Sequence, residues 1–540
     1  MRAVTASSLI GFGASAVVCL VLAGCPPTFF EPCRGYECGL DDGGSEVGDD
    51  VRPDVPSTPN LPKIDGVVVE GNPSRTVRQG FGGDPTNGIT VVHLTGERLD
   101  EVTEVKIGNG ANTLKGDITE QTPRALSFKV KVVHGAPFGP QAVNIVTPSG
   151  SAASDPVFVI SRVTASPSGS DSLERGSATA GTDVEPLRSM AKAITFAQAG
   201  DTVFLKDGTY DVKHGEIGKV ATKVPVDVTV QGESREGTLL QWDDSSNAGG
   251  FVLAGNGRIE SLGIIGYAGI SAETGIVTIK NVRVAVEGVG LGISVGSFQA
   301  IAPPNIVLDS VDISGAIIAV DVLGSEGTIT VSKSRIHGNR SGIDAQVSDA
   351  TLIVTETEVD HNCPGSMSRI DGGIIVKGPA ILTNVNIHDN QCAGITMDAE
   401  LMGPLLITRG TFAANSPNSI YLRTPGKTTI RDSSFGYHQG DIIAIDSTAD
   451  LDLGTPESPG GNRFTRCDNC DVISNLRPAQ GVNPITVRGN TWNQGPDHNT
   501  PLPFGCWETD EPRGQTAPPR TWHIAAPGTC TPIKGNVMIN

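Results

Sequence analysis

A strand-like pattern that recurs about every 24 residues constrains the fold of this chain more than any other feature. Six-residue windows that alternate apolar and polar residues begin at Ile259, Ile279, Leu308, Val331, Val354, Leu382, Ile407 and Ile430. The spacing suits one coil of a parallel β-solenoid better than a helical or leucine-rich repeat. Alternation with period two predicts strands whose apolar side chains point into a shared interior, so the chain is expected to be all-β.

The turns of this repeat also share residue types. Each window is followed by a turn and a second short strand, and equivalent turns carry Asn339, Asn362, Asn390 and Asn415. We expect these asparagines to adopt left-handed bends and to form a ladder of side-chain amides along the solenoid. A histidine lies one or two residues before three of these asparagines: His337, His361 and His388. Their regular spacing favours a role in the turns over a role in catalysis.

The segment before the repeats predicts a short helix followed by a strand. One face of the helix is expected to consist of Leu187, Met190, Ala191 and Ile194. Pro186 suits its first turn, and Gly200 ends it before a strand at 202–205. This opening resembles the N-terminal cap of pectate-lyase-like proteins. The resemblance implies a right-handed parallel β-helix over 184–540, sealed by the helix at one end and by a Pro-rich C-terminal cap at the other.

Residues 64–160 predict a separate antiparallel β-sandwich, because short alternating runs there are separated by Gly and Pro. The segment resembles an immunoglobulin-like TIG (IPT) domain in the placing of Gly88, Thr95, Leu99, Val105 and Ile107. Such modules act as spacers or protein-contact domains, so the resemblance implies no catalysis. Residues 161–183, which are rich in Ser, Gly and Thr, are expected to link the two units.

The N-terminus predicts export and lipidation. Arg2 precedes an apolar run over 8–22, which is too short to span a membrane, and Leu22, Ala23 and Gly24 lead into Cys25. This pattern resembles a bacterial lipoprotein signal, which implies that 1–24 is removed and that the thiol of Cys25 receives a diacylglycerol. Pro26 in place of an aspartate favours the outer membrane over the inner membrane as the location in the cell envelope.

The next segment and the overall charge limit the possible partners. Residues 25–63 are expected to form a disordered acidic tether, because they are rich in Gly, Pro, Asp and Glu. The whole chain carries a formal net charge of -19. Nucleic acid is excluded as a partner, since it requires a basic face. The predicted partners are the membrane, through the lipid anchor, and a polysaccharide or another envelope protein.

Eight cysteines follow the predicted lipid site, an even number that suits an oxidising compartment. They are expected to form disulfides in sequence-local pairs: Cys33 with Cys38, Cys363 with Cys392, Cys467 with Cys470, and Cys506 with Cys530. The Cys467–Cys470 spacing is also half of a zinc motif, but no second half completes it. Neither a metal nor a cofactor is predicted.

Candidate site residues lie on one predicted sheet. If the isoleucines at 343, 374, 395, 420 and 443 point inward, the residues three positions later form an outward polar column: Gln346, Lys377, Asp398, Arg423 and Asp446. Asp321 extends the column if Ile318 is in register. The column is expected to be bordered by the residues that directly follow three of the isoleucines: Asp344, Thr396 and Tyr421.

This column has two interpretations. It is a glycan-binding groove in which Asp398 and Asp446 lie about 9–10 Å apart, a separation near that of inverting glycosidases, or in which Lys377 or Arg423 is the base of a lyase. Alternatively, it is a ladder of salt bridges between neighbouring strands.

The expected function is that of a lipid-anchored envelope protein that presents a carbohydrate-binding or structural β-helix. The alternatives are a polysaccharide lyase or glycoside hydrolase that uses the charged column, and a protein-binding scaffold or adhesin. The sequence contains no complete active-site motif, so it leaves open whether the chain is an enzyme.

Overall fold

The structure is a computed structural model. It describes residues 61–538 except for 84–87, 110–112, 244–248, 288–289, 297–304, 324–326, 346–349, 366–370, 399–402, 424–425, 438–439, 446–448, 466–472, 476–484 and 494–536. The predicted signal, the lipid site Cys25 and the tether lie outside the described residues, apart from the last three tether positions. So do Cys33, Cys38, Cys467, Cys470, Cys506 and Cys530.

Two sheets form the N-terminal part. The larger sheet is antiparallel and consists, in spatial order, of Lys63–Val69, Thr90–Glu97, Ala125–Val130, Leu114–Gln121, Glu104–Ile107, Val143–Thr147 and Gly150–Ala153. The smaller sheet consists of Thr76–Arg78, Phe158–Ser161 and Gly139–Gln141, and short 3₁₀ helices occupy Phe81–Gly83 and Leu99–Glu101. Both sheets contribute to one core, in which Phe128 of the larger sheet and Phe158 of the smaller sheet are buried. The predicted antiparallel unit is confirmed.

Three parallel sheets form the remainder. The first solenoid sheet contains Val163–Ala165, Thr202–Leu205, Thr229–Gly232, Arg258–Glu260, Ile276–Lys280, Asn305–Asp309, Thr328–Ser332, Thr351–Thr355, Ala380–Thr383, Leu405–Thr408, Lys427–Arg431, Asp450–Asp452, Ile485–Thr486 and Val537–Met538. The second contains Gly208–Asp211, Thr238–Trp242, Gly263–Gly266, Arg283–Val286, Asp312–Ser314, Arg335–His337, Glu358–Asp360, Asn386–His388, Thr411–Ala413, Ser434–Phe435, Arg463–Thr465 and Thr491–Asn493. The third contains Thr222–Lys223, Gly249–Leu253, Ala268–Ala272, Leu291–Val295, Ile318–Val322, Ser341–Ala345, Gly372–Val376, Ala393–Met397, Ile420–Leu422, Ile443–Ile445 and Ile473–Asn475. The all-β fold with a parallel β-solenoid is therefore confirmed.

The first solenoid strand lies inside the segment that the sequence suggested was a linker. Val163–Ala165 pairs in parallel with Thr202–Leu205, so the solenoid sheet begins two residues after the last strand of the N-terminal part. Polar contacts join the two parts at this point. The buried carboxylate of Asp201 accepts hydrogen bonds from His134 and from the backbone N–H of Gly135, and the side chain of Gln79 accepts one from the backbone of Thr202.

Inward side chains form continuous apolar ladders. Ile343, Ile374, Ile395, Ile420 and Ile443 are each fully buried at the same position of consecutive coils, as expected from the sequence. Aromatic rings stack in the same way in the second sheet, where the centroids of Phe412, Phe435 and Phe464 are 4.9 and 4.8 Å apart. A residue inserted or deleted within a strand would move this apolar set to the outer face.

The turn asparagines form the predicted amide ladder. The side-chain amide of Asn339 donates to the side-chain oxygen of Asn362 (3.0 Å), Asn362 donates to Asn390 (3.0 Å), and Asn390 donates to Asn415 (2.8 Å). The left-handed conformation, however, belongs to the residue before each asparagine and not to the asparagine itself. These residues are Gly338, His361, Asp389 and Ala414. The prediction was wrong on this point because the asparagine side chain must turn inward to reach the next coil.

The capping helix is Met190–Phe196 and packs against the first two strands of the first sheet. It begins later than expected, because Ser189 caps it by accepting a hydrogen bond from the backbone of Lys192. Its buried face consists of Met190, Ala193, Ile194 and Phe196. Leu187 is buried before the helix, and Ala191 is only half-buried. This is the one α-helix among the described residues.

Two further features connect neighbouring coils. Cys363 and Cys392 form the predicted disulfide between consecutive coils, with Cα atoms 5.7 Å apart. Near the C-terminus, Val537–Met538 adds a parallel strand beside Ile485–Thr486. No described helix is long and apolar enough to cross a membrane.

We expect Asn390→Ala to lower the free energy of unfolding by about 2–4 kcal/mol, because it leaves several buried polar groups without partners. The amide of Asn390 donates to Asn415, to the backbone oxygen of Val359 (3.0 Å) and to that of His388 (3.1 Å). Urea unfolding measures the change. Asn386→Ala in the same coil is the control, since Asn386 lies on the outer face. Equal losses in both variants would contradict a structural role for the ladder.

Candidate functional site

The outer face of the third solenoid sheet carries two columns of polar residues. In the first column, Asp321 pairs with Asp344, Asp344 with Ile375, Ile375 with Thr396, and Thr396 with Tyr421. In the second column, backbone hydrogen bonds link Lys377, Asp398 and Arg423 to consecutive coils just after each strand. We call the two columns together the sheltered face, defined by Asp321, Asp344, Thr396, Tyr421, Lys377, Asp398 and Arg423.

The second column is a salt-bridge ladder. Asp398 lies between its two neighbours, 3.6 Å from the ammonium of Lys377 and 3.0 Å from the guanidinium of Arg423. Its carboxylate is thus held by cations on both sides, an arrangement that suits binding and orientation better than proton transfer. Two predicted members of this column, Gln346 and Asp446, lie outside the described residues. The proposed Asp398–Asp446 pair therefore stays a prediction.

The first column is shielded from solvent although it faces away from the core. Thr396 is fully buried, and Tyr421 is only 5% exposed and packs against Ala393 and Ala444. By contrast, Ile381 and Leu406 on the outer face of the first sheet are each 38% exposed. One source of cover is Asp371, whose backbone oxygen accepts a hydrogen bond from the hydroxyl of Thr396.

Glycines let consecutive coils approach each other closely beside this column. A Cβ atom on Gly342 would lie 2.0 Å from the carbonyl oxygen of Gly373, and one on Gly373 would lie 2.9 Å from that of Gly394. Side chains are therefore excluded two residues before Asp344 and Ile375. The edge of the sheltered face consists of bare backbone at these positions.

Asp321 and Asp344 lie side by side in the first column. Their residues are direct register partners in adjacent strands and are 5% and 6% exposed. Burial, and then the charge of Asp344, raise the pKa of Asp321 to about 6. The prediction that Asp321 extends the second column is wrong, because Val320 and not Ile318 is the register partner of Ile343.

The sequence analysis did not predict that these two aspartates are neighbours, for a specific reason. The inward residue of this coil is valine, whereas the columns were aligned on isoleucines. Counting back one coil of 23 residues from Asp344 leads to Asp321 and would have found the pair.

Charged residues on the second sheet differ because they neutralise one another. Arg335 forms a bidentate pair with Asp360, at 3.1 and 2.9 Å. Burial opposes the charged form of His388, but hydrogen bonds to Asp389 and Glu358 outweigh it and raise the pKa of this histidine. The turn histidines are thus part of a structural network, as their spacing suggested.

A third cluster contains groups of the kind that bind metals. Ligand atoms of Asp211, His214 and Glu216 all lie within 4.8 Å of one another. The carboxylate of Asp211 already accepts hydrogen bonds from the backbone and the ring of His214, both at 2.6 Å, and Glu216 lies 3.6 Å from Arg188. These contacts make a self-contained turn, and we assign no function to it.

Comparison with known proteins gives a family but no function. A family model described as "Protein of unknown function (DUF1565)" matches residues 174–499, which cover most of the solenoid and more than half of the chain. No curated protein and no solved structure shows a significant match.

We expect Asp321→Asn to stabilise the protein at pH 7.5 by about 2–3 kcal/mol. The pKa of Asp321 is about 6 in the folded chain against an ordinary 3.8. The folded chain therefore binds this proton more tightly, and the stability contributed by Asp321 falls as the pH rises from about 4 to about 6. The difference between these two pKa values corresponds to about 3 kcal/mol in the free energy of unfolding.

Urea unfolding at pH 7.5 and at pH 4 measures the effect. The gain should nearly vanish at pH 4, where Asp321 is protonated. Asp312→Asn is the matched control, because Asp312 is in the same coil on the second sheet and pairs with His337 at 3.0 Å. Its change should stay within about 1 kcal/mol. If Asp321→Asn instead lost stability at pH 7.5, the charged carboxylate of Asp321 would have to be stabilised by a partner, and this explanation of its raised pKa would be wrong.

Proposed function

We propose that this chain, which belongs to the DUF1565 family of proteins of unknown function, is a cell-envelope protein that binds an extended polysaccharide along the sheltered face of its β-solenoid. The observation that carries the proposal is the partly exposed row of Lys377, Asp398 and Arg423 on an outward face, beside a shielded polar column. Asp321, Asp344, Thr396 and Tyr421 are all nearly buried there, although side chains in this position of a solenoid normally point into solvent.

The shape of the sheltered face supports a linear ligand. Asp321 and Tyr421 are four coils apart, which corresponds to about 19 Å along the solenoid axis. Hydrogen-bonding groups therefore lie along a straight line on coils about 4.8 Å apart, interrupted in the first column by Ile375. An extended polymer with repeating hydroxyl groups matches this arrangement, whereas a compact ligand would contact only one or two coils.

The chemistry of the sheltered face supports a carbohydrate. Hydroxyl, carboxylate, ammonium and guanidinium groups lie together, and they donate and accept the hydrogen bonds that sugar hydroxyls require. Asp398 and its cationic neighbours Lys377 and Arg423 are each partly exposed, at 30%, 16% and 32%. They form an accessible edge beside the more deeply buried first column.

The N-terminal features support a location on the envelope. We propose that Cys25 is the lipid-anchored residue, that residues 25–63 form a tether, and that the N-terminal sandwich is a TIG-like spacer. The Cys363–Cys392 disulfide is consistent with export, since disulfides persist outside the cytoplasm. The outer membrane remains the proposed location.

Arg423→Gln is expected to weaken polysaccharide binding by about 10-fold or more, because it removes a charged hydrogen-bond donor from the accessible edge. A polysaccharide array, followed by calorimetry on the best glycan, measures the change with the full-length chain. Arg335→Gln is the control, since Arg335 belongs to the second sheet. Lack of binding to every glycan, or equal weakening by both variants, would contradict the proposal.

A further inference from the structure

We propose that two copies of this chain associate through the outer face of the first solenoid sheet, as an antiparallel dimer whose two-fold axis passes between the coils of Ile353 and Ile381. The inference goes beyond glycan binding and does not depend on it. The interface uses the first sheet, so the sheltered faces of both copies lie outside it.

A straight row on the outer face of the first sheet carries exposed apolar side chains. Its members are successive register partners on five neighbouring coils, and we call them the open row: Val307, Thr330, Ile353, Ile381 and Leu406. Ile381 and Leu406 are each 38% exposed, and the other three are partly exposed. A contiguous apolar row on the surface of a soluble protein indicates an interaction surface.

The face around the open row suits contact with another sheet. Eight consecutive strands, from Ile276–Lys280 to Asp450–Asp452, pair in parallel without a register shift. Small side chains form the adjacent row and permit close approach: Ser332, Thr355, Thr383 and Thr408. Two sheets can therefore stack here at the usual distance of about 10 Å.

The open row is complementary to itself when the order of the coils is reversed. The proposed axis runs along the strand direction, and it sets each coil opposite the coil that lies equally far away on its other side. Ile353 of one copy then contacts Ile381 of the second copy, and symmetry repeats this contact. One coil further out, Thr330 meets Leu406. Apolar side chains thus meet at the centre of the interface.

The charges at the two ends of the face match in the same arrangement. Lys280 and Asp309 lie on adjacent coils at one end, and among the described residues neither forms an ion pair. At the other end, Arg431 and Asp452 form a bidentate pair. Reversal sets Asp309 directly opposite Arg431 of the second copy and Lys280 diagonally opposite Asp452. Opposite charges therefore meet at both ends, which favours association and fixes its register.

Neighbouring arrangements lose this match. An axis through the coil of Ile353, half a coil away, would set Lys280 opposite Arg431, and like charges repel each other. An axis along the solenoid would set each coil opposite itself, so Asp309 and Arg431 would lie five coils apart, or about 24 Å. The charges thus select the antiparallel arrangement with its axis between Ile353 and Ile381.

The size of the face predicts a weak dimer. Eight coils extend about 38 Å along the solenoid axis, and strands of about five residues are about 16 Å long. Each copy would bury about 600 Å², and the total of about 1,200 Å² lies at the lower end of the range for specific interfaces. We expect a dissociation constant of about 1–100 µM.

Sedimentation velocity of the full-length chain, from about 1 to 200 µM, measures the association. The chain carries Cys25→Ser, because an attached lipid would itself bring copies together. We expect a reversible equilibrium between monomer and dimer. Its affinity should fall as the salt concentration rises from about 0.05 to 0.5 M, since the charges at the ends of the face attract less strongly when salt screens them.

Variants test the proposed face. Ile381→Glu should raise the dissociation constant by at least about 30-fold, because each dimer would then bury two carboxylates opposite isoleucines. Leu291→Glu is the matched control, since Leu291 is 37% exposed but belongs to the third sheet. Its dissociation constant should stay within about twofold of the original value. Circular dichroism checks that both variants are folded.

A second pair of variants tests the charges. Lys280→Glu should raise the dissociation constant by about 5-fold or more at low salt, because it sets a carboxylate near Asp452 of the second copy. The effect should shrink at high salt. Lys115→Glu makes the same change of charge on the N-terminal sandwich, where Lys115 is exposed, and should have little effect.

Three outcomes would overturn the proposal. A chain that stays monomeric at every concentration assigns the open row to a partner other than a second copy. Equal weakening by Ile381→Glu and Leu291→Glu, or tighter association of Lys280→Glu, shows that a dimer uses another face. Growth into larger assemblies contradicts a two-fold interface, which closes at two copies.

Discussion

Backbone hydrogen bonding between coils is the constraint on which the rest of this structure depends. Each strand of the solenoid pairs in parallel with the strands of the coils before and after it, so the position of every side chain is fixed by its register along the axis. Ile343, Ile374 and Ile395 therefore stack inward, and their immediate neighbours must stack outward. The Asn339–Asn415 amide ladder extends the same pairing through the turns.

The candidate site follows directly from this register. Two aspartates that are 23 positions apart in sequence become neighbours because one coil has that length, and nothing else in the chain needs to bring them together. The solenoid therefore places like charges side by side wherever consecutive coils carry the same acidic residue at one position. Elsewhere such charges are neutralised, as Asp398 is by Arg423, whereas Asp321 is buried beside another carboxylate. A site that tolerates this unfavourable arrangement is a good candidate for function.

The sequence predicted the regular features well because they repeat. Windows of alternating apolar and polar residues, which recur at a nearly constant interval, predicted the solenoid and its apolar interior. The same pattern predicted the ladder of Lys377, Asp398 and Arg423. Features that depend on a single coil were predicted less well. The column of Asp321 was misassigned because Val320 stands where the following coils have isoleucine, and the helix start was misplaced because capping by Ser189 is a local event. The burial of Thr396 could not be predicted from the sequence, since it depends on local contacts such as the hydrogen bond to the backbone oxygen of Asp371.

The family match extends over the solenoid, which is also the part of the chain that carries the sheltered face. A crystal structure of the protein with an oligosaccharide of the glycan it binds would test the central claim most directly. The account predicts that the sugar chain runs parallel to the solenoid axis over the third sheet, in contact with Lys377, Asp398 and Arg423. A sugar chain bound on the first or second sheet, or on the N-terminal sandwich, would contradict it.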